Sequence, residues 1–441
     1  MERLPVTRYL SRYAEPESRL VPDIAEKKYD HCLVIPCYQE NWSELRQVWQ
    51  KLAGRWLIIL VINSPAQDDI TLTLYRDILA HLNQGKDIPR TKENVVLGRY
   101  SSDIDILLVD CCSQGYQLDP SRGVGLARKK GADIALALIE TGTISQPLIY
   151  NSDADARLPD DYGRIRWDAD VSAWIYPFRH YLPNQGGNTI AAENHPVASL
   201  LYEIHLFHYA AGLKFAGSPY GFTTLGSTMV VSAEHYARVR GFPRKNAAED
   251  FYLLNKLAKT GQIQNIQTTP LQIMGRLSTR VPFGTGRSVL DILKLKNPLA
   301  DYTYYHPDSF TTLKSLLSVM ARMTSPDSLD LLLGELPSSE KILIEAWIDS
   351  SGFVEAARKG LANSRSPQVF RKFLKDWFDG FRTLKFVHFL RNQTLVPGYQ
   401  PVSLMELIHH HGISNSLLMY DPEDAPFSML KTFRDHLARL L

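Results

Sequence analysis

Two aspartates in Ser152-Asp153-Ala154-Asp155 stand at i and i+2, directly after the short apolar run Pro147–Tyr150. On an extended segment, carboxylates at that spacing project to the same side and suit a hard divalent cation, Mn²⁺ or Mg²⁺. Such sites usually take one or two protein carboxylates and leave the rest to phosphate and water, so the pair implies a phosphorylated ligand. Glu249-Asp250 opens a helical stretch, Ala248–Lys259, after Gly241-Phe242-Pro243. Acidic residues there either serve the helix dipole or supply a general base for an acceptor hydroxyl. Arg276, Arg280 and Arg287 surround Pro282-Phe283-Gly284-Thr285-Gly286. They are either solvated turn residues or guanidinium groups for a departing diphosphate. Arg122-Gly123-Val124-Gly125 with Arg128 has the look of a phosphate cradle, but the third glycine of a dinucleotide fingerprint is missing and no P-loop motif occurs. His205 and His208, three apart on a predicted helix Val197–Leu213, suit packing or an acceptor pocket. His306, after the arginine loop, is a candidate third metal ligand.

The elements that must position these residues alternate in type over the first part of the chain. His31–Pro36, Leu57–Ile62, Ile104–Val109 and Pro147–Tyr150 are apolar runs of buried-strand character. Helical periods at Ser43–Leu52, Ile70–Leu82 and Gly125–Glu140 separate them. This alternation predicts a mixed, mostly parallel α/β sheet with helices on both faces, whose ligands bind beyond the strands' carboxyl ends. Those ends carry Glu40, Asn63, Asp110, Asp153 and Asp155. Beyond about residue 290 the helix-period segments Thr312–Met323, Ser339–Ser350, Pro367–Leu390 and Ser403–His410 contain no convincing strand. The expected division is an N-terminal extension over 1–29, an α/β domain over 30–290 and an all-α region over 291–441.

Composition narrows the class. Of 441 residues, 44% are hydrophobic and 22% charged, which excludes a disordered or collagen-like chain. The longest apolar run, Trp56–Ile62, is far short of the ~18 residues of a membrane span. No basic segment followed by an apolar one opens the chain, so a cytoplasmic protein is expected. Net charge is +2, from 49 Lys+Arg against 47 Asp+Glu, giving no general reason to expect nucleic acid as a partner. Cys32, Cys37, Cys111 and Cys112 form no Cys-x-x-Cys pair and read as reduced, buried thiols.

In order, these pieces resemble a glycosyltransferase of the GT-A fold, closest to family 2 of the nucleotide-sugar-dependent transferases. Pro36-Cys37-Tyr38-Gln39-Glu40 is similar to the family's P-x-Y-N-E strand end, and 123–131 (GVGLARKKG) to its G-x-x-x-A-R-N-x-G helix start. Ser152-Asp153-Ala154-Asp155 resembles the D-x-D motif, and Ala248-Glu249-Asp250-Phe251 the E-D motif. The resemblance covers about residues 30–287. It implies a UDP- or GDP-sugar bound by Pro36, Tyr38, Glu40, Asn63, Asp110, Arg122, Arg128, Asp153, Arg280 and Arg287. The metal would sit on Asp153 and Asp155, and Asp250 beside Glu249 would act as base in an inverting transfer. Asn63 stands where the family carries an acidic pair that reads the nucleobase. The Q-x-x-R-W motif of processive synthases is absent, which implies single additions to an acceptor that the sequence does not identify. Rival expectations are a retaining transferase with a glycerate-type acceptor, a sugar-phosphate nucleotidyltransferase, and a non-catalytic sugar-nucleotide-binding protein.

Overall fold

The computed structural model describes residues 4–20, 27–84, 89–182, 190–277, 284–412 and 425–441. The chain forms two compact units, Met1–Asn184 with Thr224–Arg287, and Gln185–Thr223 with Ser288–Leu441. The break between Arg287 and Ser288 lies near the place where the sequence loses its strand character. The segment 185–223, expected inside the α/β domain, instead groups with the C-terminal helices.

The first unit is mixed α/β. Its strands are β1 (His31–Cys37), β2 (Trp56–Asn63), β3 (Arg90–Lys92), β4 (Val95–Arg99), β5 (Ile104–Cys111) and β6 (Leu148–Asn151). They continue with β7 (Ala156–Arg157), β8 (Val171–Ile175), β9 (Phe178–Tyr181), β10 (Met229–Ser232), β11 (Gln262–Asn265) and β12 (Leu271–Met274). Nine form one sheet in the order β11-β8-β10-β6-β1-β2-β5-β4-β3, and β7-β12-β9 form a second, three-stranded sheet.

The central strands β6, β1, β2 and β5 are neighbours and all parallel, so their carboxyl ends share one edge, as the sequence suggested. Every residue of β2 and β5 is buried, which is why they read as Val/Ile/Leu runs, broken in β5 by Asp105, whose buried carboxylate accepts from Tyr29 Oη. The sheet is not mostly parallel, however. β10 runs antiparallel to both β6 and β8, and β3, β4 and β5 pair antiparallel in turn. The links between β3, β4 and β5 are far too short for a crossover, and a short link permits only antiparallel neighbours.

Helix Gly123–Glu140 lies against β1 and β2, and closely: a Cβ on Gly131 would stand 2.4 Å from Val34 Cγ1. Its charged residues are not solvated. Asp133 is fully buried and accepts from Tyr9 Oη (2.6 Å), Tyr236 Oη (2.9 Å), Lys129 Nζ (2.9 Å) and the backbone N–H of Glu15 (2.8 Å). Lys130 pairs with Glu17. What looked like an N-terminal extension is thus stitched to this helix by buried ion pairs and hydrogen bonds, which are tolerated in the interior only because each charge is matched.

The second unit is helical. Among its described residues, the only β pairing is the isolated bridge Tyr304–Val402. The helical period at Pro367–Leu390 is two helices, Pro367–Trp377 and Gly380–Asn392, because Asp379 accepts from Arg382 N–H at 3.1 Å and starts a new helix. Helix Ile190–Phe215 packs at Gly212 against Phe310, and Glu203 on it forms a buried pair with Arg434. No helix among the described residues is long and apolar enough to cross a membrane. All four cysteines are buried and free.

Burial pushes three histidines of this unit down from the usual value of 6.5: His205 to about 4, His208 to about 3 and His411 to about 4. His208 Nε2–H donates to the Tyr305 carbonyl at 2.9 Å, a bond that favours the protonated ring but is outweighed by burial. Unfolded, each ring takes a proton near 6.5, whereas folded it resists protonation. Their effect on stability is therefore nil above that value and grows as pH falls toward the folded ones. Calorimetric melts should show a midpoint that drops progressively from about pH 7 toward about pH 5, more steeply in Asp250→Asn, since the raised Asp250 carboxyl takes up a proton on folding in the same range and partly offsets the histidines. A midpoint flat through the lower range would refute the assignment of neutral, buried rings.

Candidate functional site

At the carboxyl end of β6 the chain turns into the Asp-x-Asp segment, with Ser152 N–H bonded to the Val34 carbonyl of β1 at 3.0 Å. Arg128, only 3% exposed, reaches this segment from helix Gly123–Glu140. One nitrogen pairs with Asp153, and Nε donates to Glu249 at 2.8 Å. Nη1 donates to the carbonyls of Ser152 (3.3 Å) and Gly226 (3.4 Å). Position 226 must be glycine, since a Cβ there would lie 2.3 Å from Arg128 Nη2. The expected sugar-nucleotide ligand Arg128 is thus committed to the protein and acts by joining the two acidic motifs.

Glu249 and Asp250 begin helix Glu249–Leu257. The preceding Ala248 has φ of 57°, a left-handed conformation that a non-glycine residue rarely adopts and that clusters at functional sites. Glu249 is buried on Arg128, so only Asp250 of the two has a side chain left for an acceptor. Asp250 is half-buried, and its Oδ1 accepts from Phe251 N–H at 2.6 Å. Burial, and then the neighbouring Glu249 charge, push its carboxyl up to about 7.

Asp155 faces a different arginine. Arg276 contacts it at 2.7 Å and grips Glu40 with two further bonds of 2.8 and 2.9 Å, a bidentate fork. The small sheet makes this possible: β12 pairs with β7, and Met274 N–H donates to the Asp155 carbonyl at 3.1 Å. Burial raises the Asp155 carboxyl while Arg276 opposes the rise. Beside this triad opens a cavity of about 470 Å³, lined among others by Glu40, Trp42, Asp69, Asp155, Tyr181 and Arg276. Gln39, at φ 54°, is held by a 2.6 Å bond from its Nε2 to Asp68, which fixes the turn that delivers Glu40.

The other expected residues divide. Asn63, at the end of β2, is 7% exposed and its Oδ1 has no hydrogen-bond partner, an acceptor at the strand edge; Ser152 Oγ is likewise buried and unpaired. Asp110 at the end of β5 spends Oδ1 on the N–H groups of Cys112 and Ser113, both at 2.9 Å, and so shapes its own turn. Pro36 lies in β1 opposite Val61, and Tyr38 is half-buried just past the strand. Arg122 is largely exposed beside Asp119 (3.7 Å). The Gly123–Gly125 segment is not an open phosphate cradle. Gly125 N–H already donates to the Lys245 carbonyl at 3.0 Å, and Cβ atoms at either glycine would strike the 243–246 loop. Its glycines allow that loop to approach.

Arg287 is exposed, and Arg280 lies outside the described residues. His306, His205 and His208 all belong to the second unit. His306 Nδ1 accepts from Asp308 N–H at 3.1 Å, and its ring lies 5.2 Å from that of His410. Among the described residues no group of three or more His, Cys, Asp or Glu side chains gathers as a metal cage. Asp153 and Asp155, each already paired with an arginine, are the two carboxylates on one loop that could hold a hard divalent ion completed by phosphate and water. Sequence reasoning did not find the partnership of Arg276 with Asp155 and Glu40, nor Tyr181 in the cavity, because these depend on a sheet of two- to four-residue strands; it also missed Trp42, which enters from the short helix Trp42–Leu45.

No protein-family model matches the chain, and no curated protein matches it.

Replacing Arg128 should be among the most damaging changes, since it strands two carboxylates, one of them buried. Arg128→Gln should cost about 3–5 kcal/mol in chemical denaturation, and a loss under about 1 kcal/mol would show that the pairs carry no such weight.

Proposed function

We propose that the chain is a metal-dependent glycosyltransferase of GT-A type, which moves a sugar from a UDP- or GDP-sugar to an acceptor hydroxyl by single, inverting additions. The observation that carries this reading is the meeting of the Asp153-Ala154-Asp155 loop and the Glu249-Asp250 helix start on one buried arginine, at the carboxyl edge of four parallel strands. That edge is where open α/β sheets bind ligands.

In this reading Asp153 and Asp155 would hold a Mn²⁺ or Mg²⁺ ion, which supplies charge neutralisation for the diphosphate leaving group. The unpaired Asn63 carbonyl oxygen offers an acceptor to a base N–H at the end of β2. Arg276, 29% exposed, stands at the cavity wall, where its fork offsets the charges of Glu40 and Asp155 beside the place a phosphate would take. Asp250 takes the acceptor proton at a carboxylate oxygen. Its raised affinity for protons matches that task, because a base poised near the working pH takes a proton with the largest useful driving force.

The sign of the pH dependence follows. Asp250 must be ionised to act, so kcat should fall about tenfold per pH unit below about 7 and level off above it. Asp250→Asn should lower kcat by about 10²–10⁴-fold with nucleotide-sugar binding retained, and Asp155→Ala should abolish both metal-dependent binding and turnover. Normal transfer by Asp250→Asn would remove the base assignment and favour a retaining course, which the anomeric configuration of the product would then report.

A further inference from the structure

The near-neutral charge of the chain is unevenly spread. Residues 358–372 contain Arg358, Lys359, Arg365, Arg371 and Lys372 and no Asp or Glu. Since the whole chain carries +2, everything outside this stretch sums to −3. The five cations lie on a helical hairpin of the second unit, made of Phe353–Ala362 and Pro367–Trp377. The two helices pack tightly: a Cβ on Gly360 would stand 2.3 Å from Phe373 Cδ1. Phe353, Ala357, Phe370 and Leu374 are buried on the inner side.

The turn and the outer faces are left to solvent. Arg358, Lys359, Arg365 and Lys372 are exposed there, together with Leu361 (37% exposed) and Val369 (50%). Lys372 pairs with Asp376 at 2.6 Å. Among the described residues, Arg358, Lys359, Arg365 and Arg371 have no carboxylate partner. An ordinary solvated surface mixes the two signs. Here, over residues 353–377, six cations face only Glu355 and Asp376, around two apolar side chains at a helical tip.

We propose that this hairpin docks the protein on an anionic lipid surface. Phosphate headgroups would neutralise the unopposed cations, while Leu361 and Val369 enter the boundary between headgroups and acyl chains. Nucleic acid fits less well. It would engage the cations but give the two aliphatic side chains no partner, and the tip exposes no aromatic ring on which a base could stack.

The test is co-sedimentation of the full chain with vesicles of phosphatidylcholine alone or mixed with phosphatidylglycerol. Binding should require the anionic lipid and weaken at high salt. Lys359→Gln, Arg365→Gln and Lys372→Gln should each weaken it about fivefold, and Leu361→Ser with Val369→Ser should weaken it at unchanged charge. None of these side chains packs in the interior, so the variants should melt as the parent does. Equal sedimentation with neutral and anionic vesicles would overturn the proposal. So would full retention of binding by the Leu361→Ser, Val369→Ser variant together with displacement of the protein by duplex DNA, which would mark a general polyanion site.

Discussion

A single buried guanidinium organises the first unit. Arg128 is inside the protein, where a lone charge could not stay, and it is kept there by carboxylates 25 and 121 residues away in sequence. Each partner is thereby fixed as well. The Asp153 loop cannot swing away from helix Gly123–Glu140, and the Glu249 helix start cannot drift from either without leaving a charge unmatched. The missing side chain at Gly226 is part of the same constraint, since the guanidinium occupies the space it would need.

Around that hub the charges are arranged in two shells of different purpose. Behind the helix, Asp133, Lys129, Tyr9 and Tyr236 form a buried network that fastens the N-terminal segment, and Glu15 holds Arg244 at 2.6 Å. Arg244 belongs to the loop that abuts Gly125 and leads to Ala248, so the N-terminal segment buttresses the approach to Asp250. In front, Arg276 divides its two-sided grip between Glu40 and Asp155. The neighbouring aspartates of one short motif are consequently neutralised by different arginines from different elements. A phosphorylated ligand entering under the proposed reading would meet those guanidinium groups already gathered at the carboxylates.

Much of this was legible from sequence where burial alone decides the residue type. β1, β2, β5 and β6 are covered on both faces, so each had to be an apolar run, and their parallel order and polar carboxyl edge followed. Signals failed where long-range partners change what a residue means. Lys129, Lys130 and Asp133 are charged residues on one helix, yet they are buried because Tyr9, Glu15 and Glu17 arrive from more than a hundred residues away. Gly123-Val124-Gly125 looks like a phosphate turn, but its glycines serve close approach of a loop. The short strands β7, β9 and β12 carry too few residues to show a period, which hid the sheet that brings Arg276 to Asp155.

The central claim is that the Asp153–Asp155 loop holds a nucleotide sugar through a divalent ion. Calorimetric titration of the full chain with UDP- and GDP-sugars, with Mn²⁺ and again with chelator, tests it most directly. The account predicts saturable binding of one nucleotide class that is lost on chelation. Binding of equal strength without metal, or no binding of either class with it, would contradict it.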